Sequence, residues 1–154
     1  MLLRRDDGFE IDTDPSRLEP GRVHEWLSTD AYWALGRSAT AVATSIANSI
    51  CYGVYAPTGR QVGIARAVTD RATYAWICDV YVEPGSRGRG LGTWLAGGIV
   101  ADLLDLGVPR IVLATADAHE VYRRAGFDDL ADPSRFMEID RRSVGVPERD
   151  VADS

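Results

Sequence analysis

Eleven residues, Val82-Glu83-Pro84-Gly85-Ser86-Arg87-Gly88-Arg89-Gly90-Leu91-Gly92, constrain the fold of this chain more than any other stretch. They join an apolar, strand-like run (74–82) to an amphipathic, helix-like run (91–106), where Leu91, Leu95, Ile99 and Leu103 recur every four residues. Gly88, Gly90 and Gly92 alternate at the junction. Without side chains there, backbone N–H groups and a helix N-terminus lie bare. Together with the positive end of the helix dipole they form a cradle for an anion, phosphate above all. Arg87 and Arg89 add fixed positive charge beside it.

Composition narrows what that anion can be. At 154 residues the chain is expected to form a single domain, 1–154, with an ordered core over 9–140 and a polar tail over 141–154. A net charge of −6 speaks against nucleic acid as a partner, so any anion site must be local. No window is apolar enough to span a membrane, and the N-terminus lacks a signal-peptide core. The cytoplasm is therefore the expected compartment. Cys51 and Cys78 stand in apolar runs and read as small buried hydrophobes, while His24 and His119 are far apart with no ligand cluster around either. No metal site is expected. All 17 basic residues are Arg. The absence of Lys rules out a Schiff base and a phosphate-loop lysine.

The pattern predicts an edge strand over 9–13, a turn over 15–19, a short helix over 21–27 and an irregular segment over 28–37. A second helix is expected from an N-cap at Ser38 to about Asn48. Strands over 50–55 and 61–69 enclose a hairpin turn, and a third strand over 73–82 is apolar enough on both faces to lie inside the sheet. After the glycine loop and its helix, a parallel strand over 110–115 and a short helix over 118–125 follow. Two closing strands are expected over 127–130 and 134–140. Gly97 and Gly98 would weaken the long helix unless a close helix–sheet contact uses them. The whole is a mixed α/β layer architecture.

Three anion-binding patterns compete for the loop. A dinucleotide fingerprint fails because Thr93 stands at the third glycine position and the loop follows a hairpin instead of a first strand. A Walker loop fails for want of Lys. The surviving pattern is Arg-x-x-Gly-x-Gly, on Arg87, Gly90 and Gly92. Val82-Glu83-Pro84 precedes it, and Ala118-His119-Glu120-Val121-Tyr122-Arg123-Arg124-Ala125-Gly126-Phe127 follows one strand later. In these features the chain resembles the GNAT superfamily of N-acetyltransferases over residues 61–137. The segment from His24 through Trp33 to Arg37, with Arg135-Phe136-Met137-Glu138, is similar to an uncharacterised bacterial subgroup.

The resemblance implies a GNAT fold: α/β (α+β), with one mixed, mainly antiparallel sheet of six to seven strands flanked by about four helices. It implies acetyl-CoA as co-substrate and direct attack on it, in a ternary complex, by an amine of a small molecule or peptide. A homodimer is one assembly it admits. By the same resemblance the backbone of Arg87, Gly88, Arg89, Gly90, Leu91, Gly92 and Thr93 holds the pyrophosphate, with Arg87 and Arg89 near phosphate oxygens. Amides around Tyr81 and Val82 would meet the pantetheine arm and the thioester carbonyl. A non-catalytic CoA-binding sensor of the same fold is the alternative.

Single residues carry two readings each. Tyr122 matches the position whose phenol protonates the departing thiolate, or it is a core aromatic. Asp79 interrupts an apolar strand, where a carboxylate is costly unless bonded or functional. It is either the general base toward the amine or a structural acceptor. Trp26, Asp30, Tyr32 and Trp33 lie where the resemblance places the acceptor wall, and equally where aromatics would pack a helical lid onto the sheet. Cys78 reads as core, since no His or Asp partner makes it a nucleophile.

Overall fold

The structure, a computed structural model, describes residues 1–142. Of the tail expected from Arg141 onward, residues 143–154 lie outside them. Six strands form one sheet in the order β1-β2-β3-β4-β5-β6: β1 (Leu2–Arg4), β2 (Glu10–Asp12), β3 (Ile50–Tyr55), β4 (Gln61–Thr69), β5 (Ala75–Val82) and β6 (Ile111–Leu113). Neighbours are antiparallel except β5 and β6, which run parallel. The sheet is thus mixed and mainly antiparallel, with four helices among the described residues: α1 (Pro20–Thr29), α2 (Ala39–Ala47), α3 (Leu91–Asp105) and α4 (His119–Arg124).

Local chemistry sets these boundaries. Pro20 opens α1 at a position where its missing N–H costs nothing. Ser38 caps α2 as expected, its hydroxyl accepting the Ala41 amide at 3.1 Å. The leucine row of α3 is buried against one face of the sheet with Ile11, Tyr52, Val54 and Ile77. On the other face Val23, Leu27 and Val42 of α1 and α2 pack over Cys51, Ile64 and Tyr81. β5 is an interior strand, as its apolar run predicts.

Two expectations are corrected. The strand expected at the edge, β2, lies one place in, because residues 2–4 form β1 outside it. Leu2-Leu3-Arg4 does not alternate and so gives no strand signal; the hairpin is set by Gly8 at φ 89°. The closing strands over 127–130 and 134–140 are not strands. The Asp132 carboxylate accepts the Ser134 amide and starts a 3-10 turn at Pro133–Arg135. Beyond it Met137 is 97% and Ile139 88% exposed, so the alternation there has no core to bury against.

The hairpin also explains one of the two helix glycines. A Cβ on Gly98 would stand 3.0 Å from Leu3 Cδ1 and 3.5 Å from Ile11 Cδ1, whereas nothing lies within 4 Å of one on Gly97. Gly98 therefore lets β1 and β2 close on α3, and Gly97 has no such task. Chemical denaturation should show Gly97→Ala more stable than wild type by about 0.5–1 kcal/mol. Gly98→Val should be less stable by about 1–3 kcal/mol. Equal effects at the two positions would refute the contact.

Candidate active site

The site begins with an irregularity in β5. Ile64 pairs with Tyr81 and Arg66 with Cys78, so Asp79 and Val80 together face the single residue Ala65. This is a β-bulge, and Asp79 sits in it at φ 51°, a left-handed conformation uncommon outside glycine. The bulge puts Asp79 and Tyr81 on the α1–α2 face, and leaves Val80 and Val82 with Ile77 on the α3 face.

Asp79 is 3% exposed, and its carboxylate is fully engaged. Oδ2 accepts Arg66 Nε at 2.7 Å and an Arg37 guanidinium N–H at 2.7 Å; Oδ1 accepts Trp33 Nε1 at 3.0 Å. Burial alone would push this carboxyl up, but the Arg66 and Arg37 guanidiniums outweigh burial and hold it below the ordinary carboxylate value. Arg66 is itself 8% exposed and donates also to Ser49 Oγ at 2.6 Å. The cluster ties β4, β5 and the segment between α1 and α2 into one unit.

Next to the bulge the sheet opens. β5 and β6 pair only at Ala75–Ile111, Trp76–Val112 and Ile77–Leu113. β5 runs on to Val82 while β6 stops at Leu113, so from Cys78 onward the β6 side of β5 has no strand partner among the described residues. The Glu83 amide bonds the Val62 carbonyl on β4 at 2.8 Å. By strand alternation the backbone groups of Val82 then face the opening. The Val82 carbonyl is indeed taken there by Arg87 Nε at 2.8 Å.

At the top of the opening lies the glycine loop. Gly88 (φ 80°) and Gly90 (φ 72°) are both left-handed, and Gly90 is the N-cap of α3 with no side-chain cap. The first amides of the helix are therefore left without intrahelical partners. A Cβ on Gly88 or Gly92 would meet nothing within 4 Å, so the concave side is open. These features fit a phosphate group. The side chain of Arg87 does not join them: it folds back over the Tyr81 ring, at 5.3 Å, and reaches Asp30 Oδ2 at 3.4 Å. Arg89 is exposed.

On the α1–α2 face the Tyr81 hydroxyl donates to Asp30 Oδ2 at 2.5 Å. Burial, then that bond, pushes the phenol up to about 12. Trp26 packs on Tyr81 with ring centroids 5.5 Å apart, and half of the Asp30 side chain remains exposed. Tyr32 stacks edge-on against Trp33 at 4.9 Å and accepts the Ala116 amide at 3.3 Å, bridging to the loop before α4. Tyr122, on α4, lies against Phe127 at 5.8 Å and borders a cleft of about 320 Å³ shared with His119 and Thr115. Burial, with Tyr32 and Asp117 adding to it, pushes its phenol up to about 12. Its hydroxyl makes no hydrogen bond among the described residues. Burial pushes the Cys78 thiol up as well, against a nucleophilic role.

The structure thus brings together Asp30, Trp26, Tyr81 and Arg87 at one wall, and ties Trp33 to Asp79 behind it. Arg66 and Arg37 escape the sequence reading. Arg66 did leave a signal: it breaks the apolar run of β4 just as Asp79 breaks that of β5, and two hidden charges of opposite sign on adjacent strands ask to be paired. No group of three or more His, Cys, Asp or Glu that could hold a metal occurs among the described residues.

Comparisons with known proteins bear on this geometry. The profile of the Acetyltransferase (GNAT) family matches residues 21–127. A protein of Gibberella zeae named for an inferred acetyltransferase activity is 31% identical over 146 residues, 80% of this chain and 81% of its own length. A crystal structure from Xanthomonas campestris pv. campestris, assigned to the GNAT family, superposes with a TM-score of 0.80 at 39% identity. It covers 85% of this chain and 92% of that one. A Clostridium acetobutylicum structure described as an acetyltransferase with acetyl-CoA has a TM-score of 0.63 at 15% identity, covers 91% and 96%, and shows the fold.

Removing the Asp79 charge leaves Arg66 buried and uncompensated. Asp79→Asn should cost about 3–5 kcal/mol in urea unfolding at pH 7. Because the folded carboxyl lies below its ordinary value, its contribution is present above about pH 4 and is lost as pH falls through the folded value. The gap between wild type and Asp79→Asn should stay constant from about pH 8 to 5 and narrow only in stronger acid. A gap that already closes at neutral pH would contradict the ion-pair assignment.

Proposed function

Because the chain belongs to the GNAT family of acetyltransferases, we propose that it transfers the acetyl group of acetyl-CoA directly to an amine in a ternary complex. The observation that carries this reading is the opening between β5 and β6. It sets unpaired backbone of β5 beside a glycine cradle suited to a pyrophosphate; Tyr122 enters the reading by its match to the family position. Acetyl-CoA supplies an activated thioester; the chain supplies its placement and the movement of protons. The cradle amides from Arg87 to Thr93 bind the pyrophosphate, with Arg89 alongside, and the Val82 amide, next to Tyr81, donates to the carbonyl oxygen where negative charge develops.

The amine lone pair forms the new C–N bond, the C–S bond breaks, the nitrogen gives up its extra proton to water, and the leaving sulfur takes a proton from Tyr122, whose phenolate regains one from water. With its phenol pushed up to about 12, Tyr122 is protonated at any working pH and is free of competing hydrogen bonds among the described residues. Asp79 is assigned to the structural of its two readings. Three donors occupy its carboxylate and its proton affinity is lowered, which suits a fixed anchor better than a proton acceptor. It holds Trp33 and Arg37, and through them the acceptor wall. Asp30 is held through Oδ2 by Tyr81 and Arg87 but keeps half of its side chain exposed, and it holds the acceptor as its ammonium form before the proton passes to water.

Thiol release over an amine panel tests this directly. Tyr122→Phe should lower kcat about 10²-fold or more while acetyl-CoA affinity stays within about twofold. Full turnover would remove Tyr122 from the reaction. Gly90→Val forces a branched residue into a left-handed position and should abolish acetyl-CoA binding in calorimetry. Tight binding without thiol release on any amine would favour the sensor reading.

A further inference from the structure

One side chain of the N-terminal hairpin reaches the glycine loop. Arg5, just past β1, uses its Nε and one terminal nitrogen on the two carboxylate oxygens of Asp7, at 2.8 and 2.6 Å. Its other terminal nitrogen, Nη1, donates to the Arg89 carbonyl at 3.0 Å. The guanidinium stands 5.4 Å from the Phe9 ring centroid and 5.3 Å from that of Trp94, in the first turn of α3. Its plane is therefore fixed by a fork on one side and aromatic faces about it. A Cβ on Gly90 would come within 4.0 Å of Nη1.

The Arg89–Gly90 peptide is trans, so its C=O and N–H point in opposite directions. Anchoring the carbonyl on Arg5 aims the Gly90 amide away from the hairpin. Left to itself this peptide lies between two left-handed glycines, Gly88 and Gly90, where few steric limits hold it. A free peptide would have to be ordered by the ligand, at a cost in affinity.

We infer that Arg5 is a positioning residue for the acetyl-CoA site: it sets the orientation of the Arg89–Gly90 peptide that the pyrophosphate meets. The inference rests on the acetyl-CoA reading of the loop. Charge is not the instrument, because Asp7 neutralises Arg5 at hydrogen-bond distance. What Arg5 supplies is a rigid fork that grips a carboxylate and a carbonyl at once, which a lysine ammonium cannot reproduce. Arg5 also lies outside residues 21–127, so the device belongs to the hairpin and not to the segment matched by the family profile.

Calorimetric titration of the full chain with acetyl-CoA tests it, with thermal midpoints measured on the same samples. Arg5→Gln and Arg5→Lys should each weaken binding about tenfold while the midpoint stays within a few degrees. The ratio of wild-type to variant affinity should be the same at about 50 and about 300 mM NaCl, since screening acts on net charge and not on a peptide's orientation. Asp7→Asn, which loosens the fork, should give a smaller loss of about threefold. Wild-type affinity in both Arg5 variants, full rescue by Lys, or a loss that vanishes at high salt would each overturn the inference while the acetyl-CoA reading stands. A wild-type chain that does not bind acetyl-CoA would overturn that reading and this inference with it.

Discussion

A buried carboxylate with three donors organises this molecule. Asp79 occupies the bulge of β5, and its bonds to Arg66, Arg37 and Trp33 hold a backbone conformation that a non-glycine residue otherwise avoids. The bulge bends β5 at the point where β6 stops following it, and so the opening in the sheet and the unpaired backbone of β5 depend on it. The same bonds reach back to the segment between α1 and α2. The opening and the segment carrying Trp33 and Arg37 are therefore fixed by one electrostatic knot.

Around that knot the two faces of the sheet divide the labour. On the α3 face the leucine row seats the helix, whose N-terminus with Gly88 and Gly90 forms the cradle that the proposed reading gives to the pyrophosphate. Gly98 lets the N-terminal hairpin close on the same helix, which brings Arg5 to the Arg89 carbonyl. On the α1–α2 face gather Asp30, Trp26 and Tyr81, with Tyr32 against Trp33, the wall to which the proposed reading brings the acceptor. Arg87 links cradle and wall, since its side chain leaves the loop and bridges the Val82 carbonyl and Asp30.

Much of this is legible in the chain. Period and punctuation locate β3 to β6 and all four helices to within a few residues, because each is long enough to show a pattern or is stopped by Gly or Pro. Asp79 announces itself by its charge in an apolar strand, but strand parity cannot reveal a bulge, and the identity of its partners depends on contacts 13, 42 and 46 residues away in sequence. β1 is invisible because Leu2-Leu3-Arg4 does not alternate. The segment 134–140 misleads for the opposite reason: it alternates like a strand, yet its apolar side chains stay exposed. Arg87 reads as a phosphate ligand from its place in the motif, whereas the nearby Tyr81 ring and Asp30 carboxylate draw its side chain the other way.

In the proposed reading the bulge opens β5 to receive acetyl-CoA and the loop behind it grips the pyrophosphate. Amide hydrogen exchange with and without acetyl-CoA tests it residue by residue. Protection should appear at Val82 and from Gly88 to Thr93, while the amides that bind β5 to β4 below the bulge stay unchanged. Acetyl-CoA binding that leaves Val82 and the loop amides exchanging as before would rule out this placement of the cofactor.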